Sequence, residues 1–200
     1  MWGDRRRMRV GLLGGSFNPA HAGHLHVAKM ALARLALDQV WLMVSPGNPL
    51  KPARGMMAMA DRLAGARKII RRAGCRRQVV ATAIEASLGL RYTVDTLRAL
   101  RQRFPHTSFV WLMGADNLTQ LPHWRRWLDI MRTMPVAVLP RPGYNHRALA
   151  GRAALRFAAA RVPVRAEKLL ARSHAPAWMF LPVSQHAASA TQIRAAACPA

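Results

Sequence analysis

The chain has 200 residues, 52% of them hydrophobic, and its 31 Lys and Arg against 8 Asp and Glu give a formal net charge of +23. The hydrophobic fraction argues against a largely disordered chain, and we expect a single domain over residues 1–200 with a flexible tail at 1–7. No apolar run is long enough for a bilayer span or a signal-peptide core, so we expect a cytoplasmic protein with no membrane association. Cys75 and Cys198 form no Cys-x-x-Cys pair and are expected to be reduced thiols.

Strand-like and helix-like segments alternate along the chain. Segments with apolar residues three and four apart separate the strand-like runs and predict helices. This alternation predicts an α/β fold with a Rossmann-like, doubly wound parallel sheet. The predicted strands are 8–13, 39–45, 77–82, 107–113, 134–139 and 178–183, and the predicted helices are 22–37, 58–73, 92–104, 124–132 and 147–160.

The most informative segment is GGSFNPAHAGH at 14–24, which joins the first predicted strand to the first helix. Gly14 and Gly15 lack Cβ atoms, so their amides can approach an anion closely. Asn18 is a candidate N-cap and Pro19 suits a first helical position, which predicts a helix start between residues 19 and 23. The positive end of the helix then faces the glycine turn, as in a phosphate-binding site.

His21 and His24 are three residues apart and share one face of the predicted helix start. Both imidazoles can then donate hydrogen bonds to a phosphate held there. A lone His-x-x-His is more often an ordinary surface or capped pair, but the glycines and the preceding strand favour the phosphate site. A protein-bound metal is not expected, because no further ligand cluster is visible. Neither a Walker A nor a Gly-x-Gly-x-x-Gly pattern occurs.

Later candidates follow the predicted strands, whose carboxyl ends should share one edge of the sheet. Asp116 follows the fourth strand and either binds a ribose hydroxyl or caps a helix. Lys51 and Arg141 supply positive charge at the same edge or simply face solvent. Tyr92 and Thr93 open a helix whose N-terminus can hold a carboxylate, although Thr93 alone is also a plain cap.

Near the end of the chain, SATQ at 189–192 fits a capping box and predicts a short helix with exposed amides. Arg194 follows closely enough to reach an anion at that helix start. A simple helix cap is the alternative. Trp124 is a candidate to stack on an aromatic ligand, although a tryptophan near a helix start is more often core.

GGSFNPAHAGH resembles the G-G-[ST]-F-[DN]-P-x-H-x-G-H motif of the nucleotidyltransferase superfamily. Within it the chain resembles the bacterial nicotinate-nucleotide adenylyltransferase family, because several later segments match that family in order. Pro140 departs from the pattern, since the family usually has a basic residue there. The matching segments are SPGNPLKP (45–52), YTVDTL (92–97), GADN (114–117), RPGY (141–144) and SATQIR (189–194).

The resemblance implies adenylyl transfer from ATP to nicotinate mononucleotide, with Mg²⁺ carried mainly by the ATP phosphates. It implies His21 and His24 as catalytic residues, within an ATP site whose other members are Gly14, Gly15, Ser16, Phe17, Lys51, Asp116, Ser189, Thr191 and Arg194. The implied mononucleotide-binding residues are Tyr92, Thr93, Trp124 and Arg141. Nicotinamide mononucleotide and phosphopantetheine are the alternative acceptors.

The high positive charge leaves a basic RNA-binding protein as the alternative from another class. The arginines are scattered between helical apolar positions, and no RNA-binding motif is visible, so no specific nucleic acid is expected as a partner. The expected partners are therefore ATP and nicotinate mononucleotide. A homo-oligomer remains open.

Overall fold

Six strands form the core of the protein, whose computed structural model describes residues 7–47 and 55–184. Each strand overlaps one of the predicted runs. The expected tail at 1–7 lies outside the described residues except for its last residue. The strands are β1 Arg9–Gly15, β2 Gln39–Val44, β3 Val79–Thr82, β4 Ser108–Gly114, β5 Val136–Leu139 and β6 Trp178–Phe180.

The strands pair in the order β3-β2-β1-β4-β5-β6, and every neighbouring pair is parallel. Strand β1 lies between β2 and β4, with Leu12 opposite both Trp41 and Trp111. The strand order therefore reverses at β1, which is the position where doubly wound sheets bind ligands. The prediction of a Rossmann-like, doubly wound parallel fold is confirmed.

Helices fill most of the connections between strands. The helix expected over 147–160 is wrong as a single element, because Gly151 has extended backbone (φ −78°, ψ 160°) and separates two short helices. The helices are α1 Ala22–Arg34, α2 Met59–Arg72, α3 Ile84–Ser87, α4 Thr93–Arg103, α5 Ala115–Gln120, α6 Trp127–Thr133, α7 Asn145–Leu149 and α8 Arg152–Arg156, with 3₁₀ turns at Leu121–His123, Ala158–Ala160 and Val164–Arg172.

Helices cover both faces of the sheet. Alternate residues of each strand point to opposite faces, so each strand contributes to both layers. Leu13 of β1 belongs to one buried cluster, which also contains Ala28 of α1 and Ile70 of α2. Leu12 belongs to the cluster on the other side, which also contains Leu97 of α4 and Ile130 of α6. The carboxyl ends of the central strands remain as the place for a site. Among the described residues, no helix has the length and apolarity of a membrane span.

Candidate active site

The two glycines of the motif end strand β1, and the structure gives Gly14 a role beyond close approach to a ligand. A Cβ at Gly14 would lie 2.6 Å from Cη2 of Trp111 on the neighbouring strand. The missing side chain is therefore needed for the indole to pack across β1. Gly14, Gly15 and Trp111 together line a crevice at this end of the sheet.

The start of α1 differs from the prediction in its capping residue. Helix α1 begins at Ala22, within the predicted range, but its N-cap is His21, so Asn18 as N-cap and Pro19 as first helical residue are both wrong. Asn18 instead bridges to another segment, since its Nδ2 donates to Gly55 O at 2.9 Å and its Oδ1 accepts from Met57 N at 3.1 Å. The peptide bond before Pro19 is cis. Asn18 thus ties the motif loop to the segment before α2.

His21 and His24 cap the helix with their own rings. Nδ1 of His21 accepts from Gly23 N at 3.2 Å, and Nδ1 of His24 accepts from His21 N at 3.1 Å. A neutral imidazole that accepts at Nδ1 carries its proton on Nε2. The ring centroids are 3.9 Å apart. The two rings therefore form one unit, the histidine pair, in which each member has an Nε2–H donor.

Burial keeps His24 neutral. Burial, together with the nearby His21 and Arg141, lowers the pKa of His24 from 6.5 to about 3. Phe17 encloses the same ring at a centroid distance of 4.8 Å. Phe17 is itself 2% exposed and has a positive φ of 49°, which is uncommon outside glycine. Phe17 therefore supports His24 from the protein side and does not line the crevice.

Asp116 and Arg141 come from the ends of two neighbouring strands. Asp116 lies in the first turn of α5, directly after β4, and its Oδ1 is 3.7 Å from Nε of Arg141. The N-cap of α5 is Gly114, so the alternative that Asp116 caps a helix is not supported. Arg141 follows β5 and is close enough to His24 to affect its pKa. Arg141 therefore lies near the histidine pair, and Asp116 lies beside Arg141.

The crevice has a volume of about 400 Å³. It contains Tyr92, Thr93 and Trp124, as the sequence predicts for one binding region. Ser16 and Gly15 also line it and connect it to the histidine pair. The remaining lining residues are Gly14, Ser45, Gly47, Glu85, Arg91, Trp111, Asn117, His123, Arg125 and Ile130.

Two indoles in this crevice have buried nitrogens. Within the described part of the chain, Nε1 of Trp111 and Nε1 of Trp124 are buried and have no hydrogen-bond partner. Buried N–H groups of this kind are rarely left unpaired in proteins. Trp111, which the sequence places in the core, is 3% exposed and also forms a wall of the crevice.

The first turn of α4 faces the same crevice. Tyr92 is the N-cap and its side chain makes no capping bond, so Thr93 is the first helical residue and not the cap. The first N–H groups of a helix have no partner within it and carry partial positive charge. The N-terminus of α4 is therefore suited to an anionic group, and the carboxylate site expected there stays a prediction.

Sequence analysis misses two buried side chains here. Arg62 of α2 is 2% exposed and donates to Ser16 O at 2.7 Å, Ser45 O at 2.8 Å and Met57 O at 3.0 Å. The spacing of Arg62 in the sequence could have indicated its burial. It lies one helical turn before Ala66 and two before Ile70, on the buried face of α2. Glu85 is 7% exposed, lies 3.1 Å from Oγ1 of Thr96, and has a pKa raised by burial.

Four predicted site residues belong to segments that the structure does not describe. Lys51, Ser189, Thr191 and Arg194 lie outside the described residues. Every other predicted residue lies at the crevice or in or near the histidine pair, except Asp116, which lies beside Arg141. The described residues also contain no group of three or more His, Cys, Asp or Glu side chains arranged to hold a metal ion.

Comparison with known proteins identifies the family. A family model described as cytidylyltransferase-like matches residues 12–196. A relative from Gluconacetobacter diazotrophicus, named probable nicotinate-nucleotide adenylyltransferase, is 56% identical over 98% of this chain and 89% of its own length. One of the same name from Gluconobacter oxydans is 56% identical over 94% of each chain. The chain belongs to the nicotinate-nucleotide adenylyltransferase family. It is therefore a nucleotidyltransferase, as the motifs predict.

Solved structures agree on the fold. A Plasmodium falciparum nicotinic acid mononucleotide adenylyltransferase complexed with APC covers 94% of this chain, over 82% of its own, with a TM-score of 0.68 at 12% identity. A putative nicotinate-nucleotide adenylyltransferase from Vibrio parahaemolyticus covers 70% of this chain, over 77% of its own, with a TM-score of 0.55 at 19% identity. At these identities the likeness supports the family's architecture and not individual residue roles.

Proposed function

We propose that this protein joins nicotinate mononucleotide to the AMP portion of ATP, giving nicotinate adenine dinucleotide and pyrophosphate. The observation that carries the proposal is the histidine pair at the start of α1, joined through Gly15 and Ser16 to a crevice that contains an indole and a helix N-terminus. A phosphate site and an aromatic, anion-compatible site thus lie side by side, as a dinucleotide-forming reaction requires.

The crevice is the proposed mononucleotide site. Trp124 stacks on the pyridine ring, and the first amides of α4 at Tyr92 and Thr93 hold the nicotinate carboxylate. Asp116 lies outside the crevice, beside Arg141, and is proposed to accept a hydrogen bond from a ribose hydroxyl of ATP. The crevice supports this assignment, because Tyr92, Thr93 and Trp124 line it together.

The histidine pair is the proposed catalytic element. The 5′-phosphate of the mononucleotide attacks the α-phosphorus of ATP in line, and pyrophosphate leaves. No protein nucleophile is needed, so catalysis rests on positioning and on stabilising charge at the transferring phosphoryl group. His21 and His24 supply Nε2–H donors for that charge, and Arg141 adds a fixed positive charge beside them.

Magnesium is proposed to accompany ATP. The donors around the histidine pair are nitrogens and one carboxylate, Asp116, which does not make a protein cage for a hard cation. This donor set fits an ion held mainly by substrate phosphate oxygens, which is how Mg²⁺ commonly binds. Such an ion would supply charge neutralisation at the leaving pyrophosphate.

Lys51, Ser189, Thr191 and Arg194 remain proposed ATP-phosphate ligands, on the strength of the motifs that contain them. Gly14, Gly15, Ser16 and Phe17 complete the proposed ATP site. We also propose a single domain and a cytoplasmic location. Both rest on the length, the hydrophobic fraction and the apolar runs of the sequence.

Pyrophosphate release tests the proposal. The protein is assayed with ATP and, in turn, nicotinate mononucleotide, nicotinamide mononucleotide and phosphopantetheine. We expect the highest kcat/KM with nicotinate mononucleotide. Higher kcat/KM with either other acceptor would reassign the substrate. Tight, salt-dependent retention on RNA without any pyrophosphate release would instead support the nucleic-acid alternative.

A further inference from the structure

The crevice contains an arginine for which neither the motifs nor the proposed mechanism gives a role. Arg125 follows the stacking residue Trp124 and lines the crevice together with Tyr92 and Thr93. Its guanidinium carbon lies 4.5 Å from the centroid of the Tyr92 ring. This cation–π contact fixes a positive charge beside the first turn of α4.

The crevice has more basic than acidic side chains in its lining. Besides Arg125, Arg91 lines it, with its guanidinium carbon 6.0 Å from the same Tyr92 ring. Among the described lining residues the one carboxylic acid is Glu85, which burial favours in its neutral form. The crevice therefore presents two guanidinium groups and a helix N-terminus to a bound ring, against a single buried carboxyl group in the described part of its lining.

We propose that Arg125 is a specificity-determining residue that favours an anionic pyridine carboxylate over a neutral carboxamide. This inference rests on the proposed function, which places the pyridine ring at Trp124 and its substituent at the start of α4. A helix N-terminus alone accepts either substituent, since the carbonyl oxygen of a carboxamide also accepts hydrogen bonds. A guanidinium distinguishes them, because a carboxylate gains a charge-assisted interaction that the amide lacks.

The geometry explains why Tyr92 participates. Arg125 is exposed, and an exposed arginine side chain normally loses much of its interaction energy to rotamer entropy and solvent. Stacking on the Tyr92 ring restricts the guanidinium before the ligand arrives. The Arg125–Tyr92 pair therefore holds the positive charge beside the proposed position of the pyridine carboxylate or carboxamide.

The test compares Arg125→Gln with wild type, using kcat/KM for nicotinate and nicotinamide mononucleotides. We expect the acid-to-amide ratio to fall by about tenfold, as loss of one charge-assisted hydrogen bond predicts, with the KM for ATP changing much less. Arg125→Lys should recover part of the ratio. Arg132→Gln is the matched control, because Arg132 is exposed and lines a separate surface cleft with Arg98 and Arg101.

Two failures are distinguishable. If wild type shows no adenylyl transfer to nicotinate mononucleotide, the proposed function is wrong. If wild type is active and Arg125→Gln keeps the wild-type acid-to-amide ratio, the proposed function stands and the role of Arg125 is overturned. A fall in the ratio of the same size in Arg132→Gln would also overturn it, because the effect would then come from overall charge.

Discussion

The backbone N–H of His21 donates to Nδ1 of His24 at 3.1 Å, so the two candidate catalytic residues are linked by the same bond that caps helix α1. In a usual capping box a serine or threonine and a glutamate or glutamine exchange such bonds. Here two histidines do so. The fold of the helix start and the orientation of the reactive nitrogens are consequently one structural feature.

Two substitutions of His24 separate its role in capping α1 from its proposed role in catalysis. His24→Gln places at this position a residue that capping boxes accept, whereas His24→Ala removes both the cap and the donor. We expect kcat to fall about 100-fold or more in both variants if one transition-state donor is lost. Only His24→Ala should also lose about 1 kcal/mol of unfolding free energy. Pyrophosphate-release kinetics and urea unfolding measure the two effects, and wild-type kcat in His24→Gln would remove His24 from the mechanism.

The lowered pKa of His24 predicts a pH dependence of stability. Between its unfolded value of 6.5 and its folded value of about 3, the unfolded chain binds a proton that the folded chain does not. Acidification through this window therefore destabilises the fold, by up to about 1.4 kcal/mol per pH unit for one group.

Urea unfolding of wild type and His24→Gln from about pH 7 to about pH 4 isolates this contribution. Wild type should lose unfolding free energy faster than the variant as pH falls. Burial raises the pKa of Glu85, so its protonation stabilises the fold as pH falls, opposite to the effect of His24. Glu85 is present in both proteins, so its contribution cancels in the difference between their unfolding free energies. Parallel curves would show that His24 titrates normally.

Gly14→Ala should destabilise the protein through Trp111. The added Cβ would lie 2.6 Å from the indole, and relieving this overlap in a packed core costs about 1–3 kcal/mol. Gly65→Ala is the control, since Gly65 lies within α2 and a Cβ there meets nothing within 4 Å. That change should instead stabilise the helix by about 0.5–1 kcal/mol. Equal effects on urea unfolding at both positions would contradict the packing argument.

Arg62→Met should affect both stability and substrate binding. The change leaves the carbonyls of Ser16, Ser45 and Met57 without their shared donor, and we expect a loss of about 3 kcal/mol in unfolding free energy. Because Ser16 and Ser45 both line the crevice, the KM for nicotinate mononucleotide should also rise.

Arg67→Met provides the comparison for this variant, because Arg67 is an exposed arginine on the same helix. Its unfolding free energy should stay within about 0.5 kcal/mol of wild type. If both variants lose the same stability, the buried guanidinium is not what connects these loops.

The parts of the site that follow from local sequence were predictable. Apolar runs mark the strands, and the spacing of His21 and His24 places them together at a helix start. Contacts between distant segments were not. Nothing local shows that Asn18 bonds to Gly55, or that Gly14 makes room for Trp111, and hydrophilicity alone would place Arg62 at the surface. Each of these depends on how the loops meet after the sheet has formed.

Strand β1 carries the glycine turn and is hydrogen-bonded to a neighbour along both of its edges. In amide hydrogen exchange, such a central strand is among the last to open, often only when the whole domain unfolds. The outer strands β3 and β6 each have a partner on one edge within the described sheet and should exchange sooner. Fraying at the margins of the molecule therefore leaves the support beneath its reactive groups intact.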